Sequence, residues 1–303
     1  MKYLIIGSGG TGGSIGAMLA LKNEDVTFLS RGENLKVLKN NGLLYKSGIK
    51  GNHTIDIKVC SENTYKESPD VIFVCVKGYS IDSIIPIIKN VAHENTLIIP
   101  IMNGYNMSKK ISSHITVGQV LDGCIYISAF VEQPGTIVQL GPLFKVVFGK
   151  TGNTSIDDNK LVQIKDTLTK CGIDTSLSED IIRDTFKKYT FISAYAACGA
   201  YYDIEAKEMQ ADTPARQTFI DLCEEMSLLG RTLNIDLDVN IVTANLNVLA
   251  SLTPDTTASM QKDMKAGRKT EIDGLVFEVV NQANQHHISL PTYKTIATHF
   301  GYK

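Results

Sequence analysis

The sequence predicts a two-part α/β chain in which a parallel sheet with crossover helices precedes an all-helical half. Apolar strand segments alternate with helical or polar stretches through the first half. A glycine-rich turn follows the first of those strands directly. Past residue 155 the strand signals fade and helical periodicity takes over.

Residues 3–6, 26–29, 71–76 and 96–101 read as continuous apolar runs, the pattern of strands buried on both faces of a sheet. Residues 43–45 and 54–59 read as an antiparallel insertion. A hairpin is expected over 125–131 and 136–139, turning through Glu132-Gln133-Pro134-Gly135, with a further strand at 144–148. The polar stretch Thr151-Gly152-Asn153-Thr154-Ser155 ends that pattern. Helices are expected over 158–170, 179–198, 214–233, 239–249 and 271–285. A boundary near residue 175 divides these halves, giving 1–175 as one domain and 176–303 as another.

Composition narrows the functional classes. A chain of 303 residues is long enough for two cores, and its net charge of −2 lacks the basic footprint that nucleic acid demands. The longest apolar runs are far shorter than a membrane span, and no secretory pattern precedes the first strand. Cys60, Cys75, Cys124, Cys171, Cys198 and Cys223 are scattered without a Cys-x-x-Cys pair, as buried thiols of a reducing compartment would be. A cytoplasmic enzyme with a small-molecule partner, monomeric or homodimeric and without a metal, is the expectation.

The turn after the first strand reads Gly7-Ser8-Gly9-Gly10-Thr11-Gly12 and opens a small-residue helix, the context that a dinucleotide site of Rossmann type requires. Gly7 permits the tight turn, Gly9 lets the backbone approach a pyrophosphate, and Gly12 lets helix and strand pack closely. Free helix N–H groups and the helix dipole then hold the anion. The second strand ends at Ser30-Arg31, where an NAD-selective site carries a carboxylate. A guanidinium there suits a 2′-phosphate instead, because Arg offers a planar fork of donors. NADPH is the expected cofactor.

Ligands of such a sheet bind beyond the carboxyl ends of its strands, where Lys77 and Asn103-Gly104 lie. Lys77 suits a cofactor phosphate and Asn103 a nicotinamide ribose or a substrate; a solvated charge and an ordinary Asn-Gly turn are the alternatives. In the helical half, Lys187-Lys188 stand at the mouth of a segment, 191–202, too rich in apolar and small residues to face water throughout. A lysine there can be partly desolvated and serve as a proton donor, or it can snorkel to solvent. Ser259 and Glu271 flank a run of bases, with Glu271 and Asp273 also placed to complement a helix dipole.

Taken together, Gly7-x-Gly9-x-x-Gly12, Arg31, Val76-Lys77, Asn103-Gly104, Pro134-Gly135, the lysine-bearing helix and Ser259-Met260 through Thr270-Glu271-Ile272-Asp273 resemble the ketopantoate reductase family, 2-dehydropantoate 2-reductase, over nearly the whole chain. The resemblance implies NADPH-dependent reduction of a 2-keto acid in a cleft between a Rossmann domain and a helical domain. It implies that Lys188 is catalytic, since the family pattern has an aromatic two positions earlier, here Phe186, and another just after, here Tyr189. Glu271 would meet the distal hydroxyl of ketopantoate and, with Asn103, stand beside the cofactor; Ser259 would bind the substrate carboxylate.

The sequence departs from that pattern where Ile192, Ala196 and Thr256 occupy places that carry Asn in well-studied members. Ile192 therefore enters the expected substrate pocket as an apolar residue. A reductase of another small 2-keto acid, or a catalytically inactive NADP-binding sensor, are the alternatives that fold alone does not separate.

Overall fold

In a computed structural model that describes residues 1–152 and 156–303, the chain begins with strand β1 (Lys2–Ile6), helix α1 (Gly10–Leu21), strand β2 (Asp25–Leu29) and helix α2 (Gly32–Asn41). Strands β3 (Leu43–Ser47), β4 (Gly51–Ile55), β5 (Lys58–Cys60) and β6 (Val71–Val74) follow, then α3 (Ile81–Val91), β7 (Leu97–Pro100), α4 (Met107–Ser112) and β8 (Gln119–Val120). The long hairpin β9 (Asp122–Gln133) and β10 (Thr136–Gly149) leads to α5 (Asp158–Lys170) and β11 (Asp174–Leu177). Helices α6 (Ile181–Tyr202), α7 (Ala206–Gln210), α8 (Pro214–Thr232), α9 (Ile241–Ser251), α10 (Ser259–Lys265), α11 (Glu278–Gln285) and α12 (Pro291–His299) make up the remainder. The stretch 153–155, part of the polar segment expected to end the strand pattern, lies outside the described residues.

One sheet is wholly parallel, in the order β5-β2-β1-β6-β7-β8. Numbered by their appearance in that sheet, the strands run 3-2-1-4-5-6, the doubly wound order whose direction of winding reverses beside the first strand. Residues 3–6 and 71–74 are buried throughout because strands flank them on both sides. The second sheet runs β11-β10-β3-β4, with β9 paired antiparallel to β10.

Helix α1 lies between these two sheets, and that position explains its composition. A methyl at Gly16 would meet the Phe28 ring of β2, at Gly12 the Gly7 carbonyl and Ile5 of β1, at Gly13 Ile137 of β10, and at Gly10 the Ala129 backbone of β9. Residues 12–19 are all buried, so the helix carries no polar stripe. Glycine in a helix interior costs about 1 kcal/mol relative to alanine, which the close approach of backbone to both sheets offsets.

The chain separates into two compact units, residues 1–102 with 106–181, and Asn103–Tyr105 with Ile182–Lys303. The second has its own core, built on Phe186, Tyr189 and residues 194–198 of α6, Phe219, Leu222 and Met226 of α8, and Val279, Val280 and Tyr293 of α11 and α12. The buried Glu225 carboxylate accepts the Thr292 and Tyr293 N–H groups at 2.7 and 2.9 Å, satisfying donors that the start of α12 leaves open. Among the described residues no helix is long and apolar enough to cross a membrane. All six cysteines are free thiols.

Several elements differ from expectation. The 54–59 run is divided, its first residues in β4 and its last in β5, which joins the other sheet parallel to β2. The expected strands 136–139 and 144–148 are one strand with a register shift between Leu140 and Phe144, where Gly141 takes a φ of +67°. Strand β11 escapes a hydrophobic reading because Asp174-Thr175-Ser176-Leu177 is an edge strand held chiefly by its ladder with β10. The expected strand 71–76 ends at Val74, before the turn that carries Cys75 and Lys77. Helix α6 continues to Tyr202, and in the second half α7, α10 and α12 are additional to the expected helices.

Asp122, at the start of β9, is buried and accepts hydrogen bonds from the Ser108 hydroxyl at 2.9 Å and the Gly123 N–H at 3.1 Å. Desolvation outweighs those bonds and pushes its carboxyl up to about 6. The folded state therefore holds a proton that the unfolded chain has released between pH of about 4 and about 6. The resulting stabilisation is complete below the unfolded value and lost as pH rises through the folded one. Urea unfolding of Asp122→Asn beside the unmodified chain at pH 4.5 and 7.5 should show the variant losing about 2 kcal/mol less over that interval. Equal pH dependence in both would contradict this assignment.

Candidate active site

The turn between β1 and α1 sits where the sheet reverses its winding. Gly7 adopts a φ of +101°, and a side chain there would strike the Cys75 carbonyl on the neighbouring strand connection. Gly12 packs under the turn against the Gly7 carbonyl. Gly9 is different: it is the residue before α1, its φ of −78° suits any residue, and a Cβ there would meet nothing within 4 Å. Its lack of a side chain is thus not required by the protein's own packing. It leaves open the space over the first helical N–H groups, the cradle that a pyrophosphate occupies in sites of this type. The residues present fit a nicotinamide dinucleotide.

Beside this turn the end of β2 carries a polar cluster. The Ser8 hydroxyl donates to Ser30 Oγ at 2.9 Å, and Asn34 Nδ2 of α2 donates to Ser8 Oγ at 2.9 Å and Ser30 Oγ at 3.1 Å. Asn34 Oδ1 accepts the Gly135 N–H at 2.8 Å, tying in the β9–β10 turn. Arg31 directly precedes α2 and is exposed, its guanidinium making no hydrogen bond or ion pair among the described residues. Thr11 lies in the first turn of α1, and half-buried Lys77 follows β6 and precedes a short 3-10 turn at Gly78–Ser80.

In the second unit, α6 separates its two adjacent lysines. Lys187 is paired with the Asp238 carboxylate, which that contact holds below the usual carboxylate range. Lys188 is half-buried and donates from Nζ to Asn103 Oδ1 at 3.0 Å. Asn103 is held near it through Tyr105, whose ring meets Phe186 edge-on at 5.6 Å and stacks on Tyr189 at 6.0 Å. The rings on either side of Lys188 in sequence thus grip the loop that supplies its partner.

Glu271 is 5% exposed and immediately precedes the helical run that becomes α11. That run begins with a π-helical turn, Asp273–Phe277, in which the usual hydrogen-bond ladder is shifted by one residue. Side chains of α6 take carbonyls of this turn: the Tyr189 hydroxyl donates to Gly274 O at 2.7 Å and the Ser193 hydroxyl to Leu275 O at 2.6 Å. Tyr293 Oη lies 2.7 Å from Ser193 Oγ. Each such bond contributes about 1 kcal/mol net, and more is lost when its buried partner is left unsatisfied.

The remaining expected residues are placed as follows. Ser259 is the exposed first residue of α10, its hydroxyl without a partner among the described residues. Ile192 is half-buried against the helical core, while Ala196 is 2% exposed within it. Lys188 and Asn103 are brought into direct contact, and Tyr189 links the lysine's helix to the turn after Glu271.

The family model described as ketopantoate reductase PanE/ApbA matches residues 3–153, and the corresponding C-terminal model matches 180–302. The chain belongs to the ketopantoate reductase family. An uncharacterized oxidoreductase, YkpB, of Bacillus subtilis is 27% identical over 296 residues, covering 98% of this chain and 96% of that protein. The 2-dehydropantoate 2-reductase of Pyrococcus horikoshii is 23% identical over 294 residues, covering 96% and 93% respectively. A ternary structure of D-mandelate dehydrogenase with NADH and anilino(oxo)acetate has the same fold, with a TM-score of 0.89 at 17% identity over 98% of this chain and 96% of that one. As a ketopantoate reductase family member, the chain is an oxidoreductase acting on a CH–OH group, of the kind that reduces 2-keto acids.

For this ketopantoate reductase family member, sequence reasoning missed Asn34, Tyr105, the hydroxyl of Tyr189 and the π-turn. No local signal announces them, because each acts through a contact distant in sequence. The two motif glycines give a test. Gly9→Ala should leave thermal stability unchanged and weaken binding of a nicotinamide dinucleotide at least tenfold, since the added methyl enters only open space. Gly12→Ala should lower the melting temperature, its methyl meeting backbone. Scanning calorimetry beside fluorescence titration of the dinucleotide separates the two effects, and an undiminished affinity in Gly9→Ala would exclude the turn as the cradle.

Proposed function

We propose that the chain reduces a 2-keto acid to the 2-hydroxy acid with NADPH, 2-dehydropantoate to pantoate of pantothenate biosynthesis being the first substrate to consider, in the cytoplasm. The observation that carries this reading is the division of labour on α6: Lys187 is held by Asp238, while Lys188 reaches Asn103 Oδ1 at 3.0 Å.

The reduced nicotinamide supplies hydride when bound, and the protein must handle the charge that results. The substrate carbonyl oxygen becomes an alkoxide, and the Lys188 ammonium donates a hydrogen bond and then a proton to it. Asn103 fixes the ammonium's direction. The Glu271 carboxylate binds a substrate hydroxyl, and the Ser259 hydroxyl donates to the substrate carboxylate. Gly7, Ser8, Gly9, Gly10, Thr11 and Gly12 hold the pyrophosphate, with Arg31 on the 2′-phosphate and Lys77 on the cofactor's phosphate side.

Ile192 supports a second substrate reading. An isoleucine packed against the apolar core offers no hydrogen bond, so branched 2-keto acids without the distal hydroxyl are proposed as substrates alongside 2-dehydropantoate.

Lys188→Ala should lose about a hundredfold or more in turnover with NADPH affinity retained, while Lys187→Ala should lose little. Steady-state NADPH consumption against a panel of 2-keto acids, beside cofactor titration, measures both. Full turnover in Lys188→Ala would remove the proposed acid. Separately, Arg31→Ala should abolish a preference for NADPH over NADH of about tenfold or more. Equal dissociation constants for the two cofactors in the unmodified chain would overturn the assignment of Arg31.

A further inference from the structure

We propose that Tyr189 is a positioning residue of this site, spacing Lys188, Asn103 and Glu271 through two different parts of one side chain. The proposal rests on the reading that Lys188 and Glu271 act on substrate. It is carried by contacts that no catalytic role accounts for. The ring of Tyr189 stacks on Tyr105 at 6.0 Å with an interplanar angle of 22°, and Phe186 closes the group at 5.6 Å from Tyr105 and 6.2 Å from Tyr189. Tyr105 is two residues beyond Asn103, and Gly104 between them has a φ of +143°, so the ring stack anchors a backbone bend that presents the Asn103 amide to Lys188.

The hydroxyl does separate work. Tyr189 is 2% exposed, burial keeps its phenol protonated, and the hydroxyl donates to Gly274 O at 2.7 Å. The acceptor belongs to the π-turn that begins two residues after Glu271. Ser193, one helical turn further along α6, takes the next carbonyl, Leu275 O, at 2.6 Å. The two hydroxyls are four residues apart, on one face of α6, and their acceptors are adjacent in the π-turn. The spacing of the turn is thereby fixed against the helix that bears Lys188. Losing the hydroxyl leaves the Gly274 carbonyl without this donor and frees the turn to shift, and displacements of about 1 Å at such sites cost up to about a hundredfold in rate.

The test measures single-turnover NADPH oxidation with the fastest 2-keto acid of the panel, for the whole chain and for Tyr189→Phe, Tyr105→Ala, Glu271→Gln, Lys188→Ala and the Tyr189→Phe/Glu271→Gln pair. Melting temperature and NADPH affinity are followed in each. Tyr189→Phe should lose about tenfold in rate with NADPH affinity unchanged, and the double variant should be no slower than Glu271→Gln alone, because the hydroxyl acts through Glu271. Tyr105→Ala should lose rate with NADPH affinity unchanged. An unimpaired Tyr189→Phe, or losses that multiply in the double variant as a general weakening of the fold would give, overturns the proposal. If Tyr189→Phe does not fold, Tyr105→Ala decides: an unimpaired rate overturns it. Undiminished rates in Lys188→Ala and Glu271→Gln would instead defeat the underlying reading of the site.

Discussion

The first unit depends on bringing one helix backbone against two sheets at once. Glycines at 10, 12, 13 and 16 remove the side chains that would hold α1 away from β9, β1, β10 and β2. Only then can the parallel sheet and the hairpin sheet share a core, with Ile5, Ile15, Phe28, Ile137 and Phe148 in one cluster. The same closeness puts the start of α1 directly over the end of β1, so the glycine-rich turn is a by-product of the packing. Gly9 stands apart from that logic, because the protein's own atoms leave its position vacant.

Much of this was legible in the sequence because the chemistry is local. Gly7, Gly9 and Gly12 stand between an apolar strand and a small-residue helix, and Gly7 and Gly12 meet the steric need expected of them. The apolar runs of β1, β6 and β7 mark strands buried on two faces without further information. Where partners decide structure, the sequence was silent. Lys187 and Lys188 are alike as residues; only Asp238 and Asn103, both far along the chain, tell them apart. Strand β11 has no apolar pattern because an edge strand can be held by its ladder alone. The turn after Glu271 opens a helical run, and the two α6 hydroxyls that its carbonyls accept lie far back in the sequence.

The second unit solves a different problem, the placing of polar groups in an apolar surrounding. Glu225 is buried yet used twice by the backbone of α12, Gln261 is buried and bonded to Ala258, Gly199 and Ile204, and Asn245 reaches Thr190 and Cys223. Polar side chains satisfied in this way fix the relative placement of helices more sharply than apolar packing, which tolerates sliding. Such fixed joints set where the other side chains of the bundle stand.

The shifted ladder at Asp273–Phe277 also bears on how the chain is matched to its relatives. A π-turn within a helix is what one inserted residue leaves behind when the flanking turns keep their places. Each residue advances an α-helix by about 100°, so removing one here would swing Glu271 about that far around the axis relative to α11. Relatives one residue shorter at this point would then carry a different side chain in its place. When distant members of the family are aligned, the position of a single gap in this stretch decides which residue is taken to be the counterpart of Glu271.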